Sequence, residues 1–302
     1  AYRLEAHLQD VAKDLNIGAS FAITPTVLTF VIWVPGEDNE YTHVARVMPG
    51  DLDLGSLSRA DEVVDAVLKH QMTLQEATER LNTIAVMPNP YSRWATFFAY
   101  GAAGGAFAML MRASWLDVAY ATGLSLIVYL FVLWAEKSRR VTHMLEPLVA
   151  MSSALGATAL AAYIDPRINI PIVVLSAIIV FIPGLALTLG FAETAARHLV
   201  SGTARIMDAV MILFKLYFGA FLGMALGELA TNAAKYGALS VPGGRVTLTT
   251  LQQGERYVMT WREQGGPLLK GAPEASGFGS SLLALSVEGQ LGGSLEQTWA
   301  RE

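Results

Sequence analysis

The stretch IPGLALTLGFAETAARHLVSGTARIMDAVMILFKLYFGAFLGMALG, residues 182–227, decides the fold. It closes one apolar run, 170–190, and holds a second, 206–226. Each run has roughly the 17–25 residues that an apolar helix needs to cross a bilayer. Three more such runs precede it, at 95–111, 115–134 and 147–164. The spacing predicts an α-helical membrane protein with five spans, packed into a module over residues 93–227.

Composition agrees. Of 302 residues, 53% are hydrophobic and only 16% charged, where a soluble domain carries roughly 25% charged residues. The absence of cysteine excludes a disulfide scaffold, a thiolate metal site and a cysteine nucleophile. A net charge of -5 argues against a nucleic-acid partner. No basic segment followed by an apolar one opens the chain, so no secretory signal peptide is expected. The first residue, Ala1, is not an initiating Met, and the chain reads as cut from something longer.

Two zones that read as soluble flank the apolar one. Residues 1–92 predict a small α/β domain. Leu4, Leu8, Val11 and Leu15 recur at helical spacing, and Asn16-Ile17-Gly18 stops that helix. Two β-rich runs, 26–34 and 43–48, are joined by the turn Pro35-Gly36-Glu37-Asp38-Asn39. A helix marked by Val63, Val64, Val67 and Leu68 follows, then one opened by a Thr73–Glu76 capping box. Pro88, Asn89 and Pro90 form a linker. Residues 228–302 predict α/β structure: a helix over 228–236, a hairpin of 245–251 and 256–263 around Gly254, a glycine loop running into a helix over 277–289, and a last strand over 294–299.

The loops carry an orientation signal. Arg93, Lys137, Arg139, Arg140, Arg197 and Arg205 fall on one side of five spans, and Arg112 and Arg167 on the other. The excess predicts a multi-pass inner (cytoplasmic) membrane protein with a cytoplasmic N-terminal domain and residues after 226 outside.

Several residues of the membrane zone are candidates for transport. Asp208 and Lys215, seven residues apart, share a helix face and are expected to pair, directly or through another helix. Pro183-Gly184 interrupts the fourth run, and transporters place substrate sites at such breaks. Glu193 and Arg197 are spaced as an i, i+4 pair, read as solvated at the interface. Asp117 reads as compensation of a helix N-terminus, and Asp165 and Arg167 as solvated loop charges. Gly101 with Gly105, and Gly219, Gly223 and Gly227, repeat at the four-residue spacing of close helix contacts.

The opening stretch resembles the threonine/serine exporter family, as do MPGDLDLGSL (Met48 to Leu57), TLQEATERLNTI (Thr73 to Ile84) and the first helix, YRLEAHLQDVAKDLNI (Tyr2 to Ile17). The resemblance covers residues 2–227. It implies a cytosolic domain followed by a five-span module that exports small hydroxylated amino acids by means of an ion gradient, with no cofactor. The family's full form pairs two such modules, so a second module or a homo-oligomer is expected as partner, beside the amino-acid substrate and the lipid bilayer. Pro183, Gly184, Glu193, Gly202, Arg205 and Asp208 are the motif positions it carries over.

A second resemblance follows. ELATNAAKYGALS (Glu228 to Ser240), WREQGGP (Trp261 to Pro267), GFGSSLL (Gly277 to Leu283) and LGG (Leu291 to Gly293) resemble, in order, the ATPase domain of HWE-type sensor histidine kinases. This implies a truncated α/β, GHKL ATPase-like segment with ATP and Mg²⁺ as ligands. Glu228 would orient a water, Asn232 reach the metal and Lys235 meet phosphate. Glu263 would meet the adenine amino group, and Gly265, Gly266, Gly277 and Gly279 would admit the nucleotide to the backbone. Two departures weigh against kinase chemistry. Gly227 stands where the class carries its N-box histidine, and His7, His43, His70, His143 and His198 all lie in exporter-like sequence. Autophosphorylation is not expected, so the chain is read as no enzyme. The families change at 226–228 inside one apolar run with no linker, which reads as a chimera.

The exporter reading ranks first because its signal is the longest. The alternatives are an ATP-binding regulatory tail on a transporter and a membrane-anchored sensor kinase.

Overall fold

The computed structural model describes residues 2–36, 39–47, 53–88, 90–267, 287–288 and 293–298. They form two compact units, 1–92 with 183–211 and 93–182 with 212–302.

The first unit opens with α1 (Tyr2–Asp14), which ends where Asn16 takes a left-handed φ of 55°. An antiparallel sheet in the order β1 (Gly18–Ile23), β2 (Val27–Trp33), β3 (Glu40–Arg46) follows. Its register sets Phe21 against Phe30, and Phe30 against His43. The sequence predicts two strands here and misses β1, because Gly18 reads as a helix stop. Yet Gly18 begins that strand, opposite Trp33, whose ring a side chain at position 18 would strike.

Helix α2 (Leu54–Leu68) is capped by Asp53, which accepts from the Gly55 and Ser56 N–H groups. Helix α3 (Leu74–Ala85) starts at the expected capping box, with both reciprocal Thr73–Glu76 hydrogen bonds made. Val63 and Val67 pack on Ala77 and Ile84. Helix α9 (Gly184–Ala195) and the first turns of α10 (Leu199–Lys235) belong to this unit.

The second unit holds α4 (Arg93–Leu110), α5 (Trp115–Ala135), the short α6 (Arg139–His143), α7 (Leu145–Tyr163), α8 (Ile170–Ala177) and the rest of α10. Its core is built of small residues. Ala108, Ala121, Ala154, Ala157 and Ala177 are fully buried around Val173 and Leu124, and Val149 and Ala150 pack on Val128 and Leu216. Ser114 and Asp117 cap α5 reciprocally, as the N-terminal reading of Asp117 anticipates. That carboxylate also accepts the Asn169 N–H at 3.1 Å, which ties α5 to the start of α8.

Among the described residues three helices, α5, α7 and α10, are long and apolar enough to cross a membrane, or four if the bent pair α8–α9 is one span. α4 is not among them; it begins at Arg93 and carries Gly101, Gly104 and Gly105. The run at 170–190 is not one helix. α8 ends at Ala177, a 3-10 turn covers Ile179–Phe181, and Pro183 stands at the N-terminus of α9. A proline has no N–H to donate, so it suits a helix start and breaks a helix interior. The run at 206–226, by contrast, belongs to a single 37-residue helix, about 55 Å long at 1.5 Å per residue.

Helices α7 and α10 run parallel. A Cβ at Gly219 would meet the backbone of Pro147, one at Gly223 that of Met151, and one at Gly227 the side chain of Thr158. The four-residue glycine repeat thus brings α10 against α7, as its spacing predicts.

After α10 comes the predicted hairpin, β4 (Arg245–Gln253) and β5 (Arg256–Gln264), turning at Gly254 with φ 62°. Residues 294–298 form no strand, contrary to the reading of the last segment. The glycine loop expected to run into a helix, with Gly277 and Gly279, lies outside the described residues except at 287–288.

Candidate functional site

Helices α9 and α10 form a tight reversal. Arg197, with φ 64°, turns the chain. Gly190 and Gly202 bring the two backbones together: a Cβ at Gly202 would meet the Thr194 nitrogen and the Gly190 carbonyl. This places Arg205 beside Glu193, twelve residues earlier. The guanidinium donates from both Nε and a terminal nitrogen, at 3.5 and 3.4 Å, to the two oxygens of Glu193. Ser201 donates to the same carboxylate at 2.8 Å. Glu193 is 4% exposed. A buried carboxylate persists only when it is paired and hydrogen-bonded, and these contacts supply both.

The expected Glu193–Arg197 pair is therefore replaced. Arg197 is used by the turn, and Glu193 faces inward to Ser201 and Arg205 rather than outward to solvent. Next to it, His198 lies 3.9 Å from Glu5 of α1.

A second charged site lies in the other unit. Lys215 of α10 approaches Glu146 of α7 at 3.7 Å, one turn before the Gly219–Pro147 contact. The expected partner, Asp208, is exposed on the preceding turns of α10, so Lys215 meets Glu146 in its place. Sequence reasoning misses Glu146 because the apolar run is read from Pro147 onward, which leaves the carboxylate outside it by one residue. The sign that could find it is an acidic residue in the first turn of a spanning helix.

The nucleotide candidates are distributed along the end of the second unit. Glu228, Asn232 and Lys235 occupy the last turns of α10, with Asn232 and Lys235 exposed. Glu263 is engaged within the protein: it accepts the Ala238 N–H at 2.9 Å and the Trp261 indole N–H at 3.1 Å. It thereby ties β5 to the segment after α10. Gly265 takes a φ of 69° and Gly266 packs on Ala238. Among the described residues no three His, Cys, Asp or Glu side chains cluster as metal ligands. Of the loop charges, Asp165 and Arg167 are not separately solvated but form a bidentate pair at 3.0 Å. That pair holds the carboxyl of Asp165 below the usual carboxylate range.

Residues 1–227 match the ThrE threonine/serine exporter family model. Among curated proteins, the chain is 25% identical over 232 residues to pheromone-regulated membrane protein 10 of Pichia sorbitophila, covering 74% of this chain and 23% of that one. It is 27% identical over 244 residues to an uncharacterized protein of Schizosaccharomyces pombe, covering 77% and 31% respectively. The chain thus spans about a quarter to a third of the length of these relatives. A separate similarity, 42% identity over 81 residues, is to blue-light-activated histidine kinase 1 of Erythrobacter litoralis; it covers 26% of this chain and 22% of that one. No solved structure matches.

Proposed function

The chain belongs to the ThrE threonine/serine exporter family, and from that premise we propose that it is one module of an exporter of small hydroxylated amino acids, driven by an ion gradient and working with a second module or a second copy. The observation that carries this reading is the interrupted span inside the family's region, where α8 stops at Ala177 and α9 restarts at Gly184. Spanning helices are broken where a site lines a path through the bilayer, since freed backbone groups then face a ligand rather than lipid. Pro183 and Gly184 make the break. Glu193 and Arg205 brace the helix that follows it, and Asp208 and Lys215 supply charge along α10.

In this reading residues 1–92 are a cytoplasmic domain, 93–227 a five-span module in the inner membrane with α4 as its first span, and 228–302 an appended segment. The Lys/Arg bias of the loops supports that orientation. The test is efflux of labelled L-threonine from cells expressing the chain. Efflux faster than from cells carrying an empty vector supports the reading, and equal rates contradict it.

The resemblance of the motifs in 228–302 to a histidine-kinase ATPase domain, beside a partial similarity to one histidine kinase, supports a second reading, an ATP-binding regulatory tail. Glu228, Asn232 and Lys235 would then meet Mg²⁺ and phosphates, and Glu263 would have to release Ala238 and Trp261 to reach adenine. Mg²⁺-ATP binding to the purified chain, lost in Asn232→Ala, supports this; no binding by the parent chain ends it.

A further inference from the structure

Among the described residues four buried side-chain polar atoms lack a hydrogen-bond partner, and three of them belong to the second unit: Glu146 Oε2, Ser153 Oγ and Ser176 Oγ. Buried polar groups are nearly always satisfied, so each exception calls for an explanation. Other hydroxyls of these helices satisfy themselves by donating back one turn, as Thr122 does to Val118, Ser125 to Ala121 and Thr158 to Ala154. Ser153 does not. It lies seven residues after Glu146, on the same face of α7 and about 10 Å further along. That face therefore holds two unused polar groups in a row.

Glu146 presents a particular combination. Its Oε1 lies 3.7 Å from the Lys215 ammonium, beyond hydrogen-bond distance, and its Oε2 is buried and unused. Lys215 keeps 42% of its side chain exposed, so both partners retain unused capacity: three ammonium donors on one, acceptor lone pairs on the other. Opposite charges held side by side at this spacing match a zwitterion, whose ammonium needs an acceptor and whose carboxylate needs a donor. The frame is rigid. Gly219, one turn after Lys215, packs against the backbone of Pro147 beside Glu146, so α10 and α7 fix the two charges relative to each other. Leu145, Val149, Ile212, Leu216 and Ala220, their neighbours along α7 and α10, belong to one apolar cluster.

We infer that Glu146 and Lys215 form a binding site for the α-amino acid zwitterion, Glu146 taking the ammonium and Lys215 the carboxylate. The inference rests on the exporter reading and assigns it a site. It adds Glu146, which neither the sequence pattern nor the family resemblance singles out. A structural ion pair would also place the two charges together, and the two roles differ in what a charge exchange does.

The test is binding of labelled L-threonine to the purified full chain in detergent, competed by unlabelled L-threonine, N-acetyl-L-threonine and L-threonine methyl ester. The parent chain should bind threonine, and the two blocked analogues should compete at least tenfold less well than threonine. Glu146→Gln and Lys215→Met should each weaken threonine binding at least tenfold. The exchanged variant E146K/K215E restores opposite charges, and should elute as the parent does yet remain at least tenfold weaker. Unchanged affinity in both single variants overturns the site, and so does full recovery in the exchanged one, which marks a purely structural pair. Threonine binding by the parent with either of those outcomes leaves the exporter reading standing and removes only this site. No threonine binding by the parent overturns both.

Discussion

Arg205 reaches back twelve residues to clamp Glu193, meeting both carboxylate oxygens while Ser201 holds one of them from the side. The contact is possible only because the chain reverses at Arg197. It closes a helical hairpin whose backbones touch at Gly190 and Gly202. Removing the cation leaves a buried carboxylate with less compensation than it needs. Arg205→Met should therefore destabilise the purified protein by roughly 2–4 kcal/mol, somewhat below a fully buried pair because the Arg205 side chain is 35% exposed. The double variant E193Q/R205M should be less destabilised than R205M alone. Thermal unfolding in detergent measures both, and a neutral R205M contradicts this account of the hairpin.

The parallel packing of α7 and α10 predicts a contrast between glycines. Gly219→Ala sets a methyl group against the Pro147 backbone, which cannot move aside as a side chain can. It should cost about 1–3 kcal/mol, as overpacking does. Gly123→Ala, on the exposed side of α5 with nothing within 4 Å of the added carbon, should be neutral or gain up to about 1 kcal/mol from helix propensity. The same unfolding measurement compares them, and equal effects would mean that α10 does not pack on α7 as described.

The helix caps of the N-terminal elements predict an acid response. Hydrogen bonds from Ser56 to Asp53, and from Thr73 to Glu76, hold both carboxyls below their ordinary range. A carboxyl depressed in the folded state contributes stability that is complete above its unfolded value, near 4. That contribution is lost as the pH falls through the folded value. Amide exchange in the first turns of α2 and α3 should thus accelerate, relative to the helix centres, only below about pH 4. Glu76→Gln keeps a capping-box acceptor but no charge, so it should blunt the response in α3 and leave α2 unaffected. A response in α3 that survives E76Q unchanged would place its origin elsewhere.

Glu263 gives a prediction independent of any nucleotide. Its carboxylate joins β5 to the chain after α10 by the Ala238 and Trp261 hydrogen bonds. Glu263→Ala should speed amide exchange at Ala238 without added ATP, and Gln264→Ala should not. Unchanged exchange at Ala238 in E263A would show that the tie is not made.

Features set by neighbouring residues were legible in the sequence. The Thr73–Glu76 box needs only its own four residues. The repeat of Gly219, Gly223 and Gly227 announces a close contact without naming its partner, and Pro183 announces a break whatever surrounds it. What failed to show depends on reversal or on another helix. Glu193 pairs with Arg205 across a turn that brings position i beside i+12, so the nearer Arg197, at the favourable i+4 spacing, was the natural choice. Lys215 finds Glu146 on α7, and no spacing along α10 could reveal a partner 69 residues away. β1 was hidden because its first residue is a glycine, a breaker in isolation, here needed under the ring of Trp33.

The most direct test of the central claim is counterflow of labelled L-threonine into proteoliposomes that contain only this chain and are preloaded with unlabelled L-threonine. The account predicts transient accumulation of label above protein-free vesicles for the parent chain. It predicts none in vesicles preloaded with N-acetyl-L-threonine. Label that enters parent and protein-free vesicles at the same rate, across repeated reconstitutions of monodisperse protein, would contradict it.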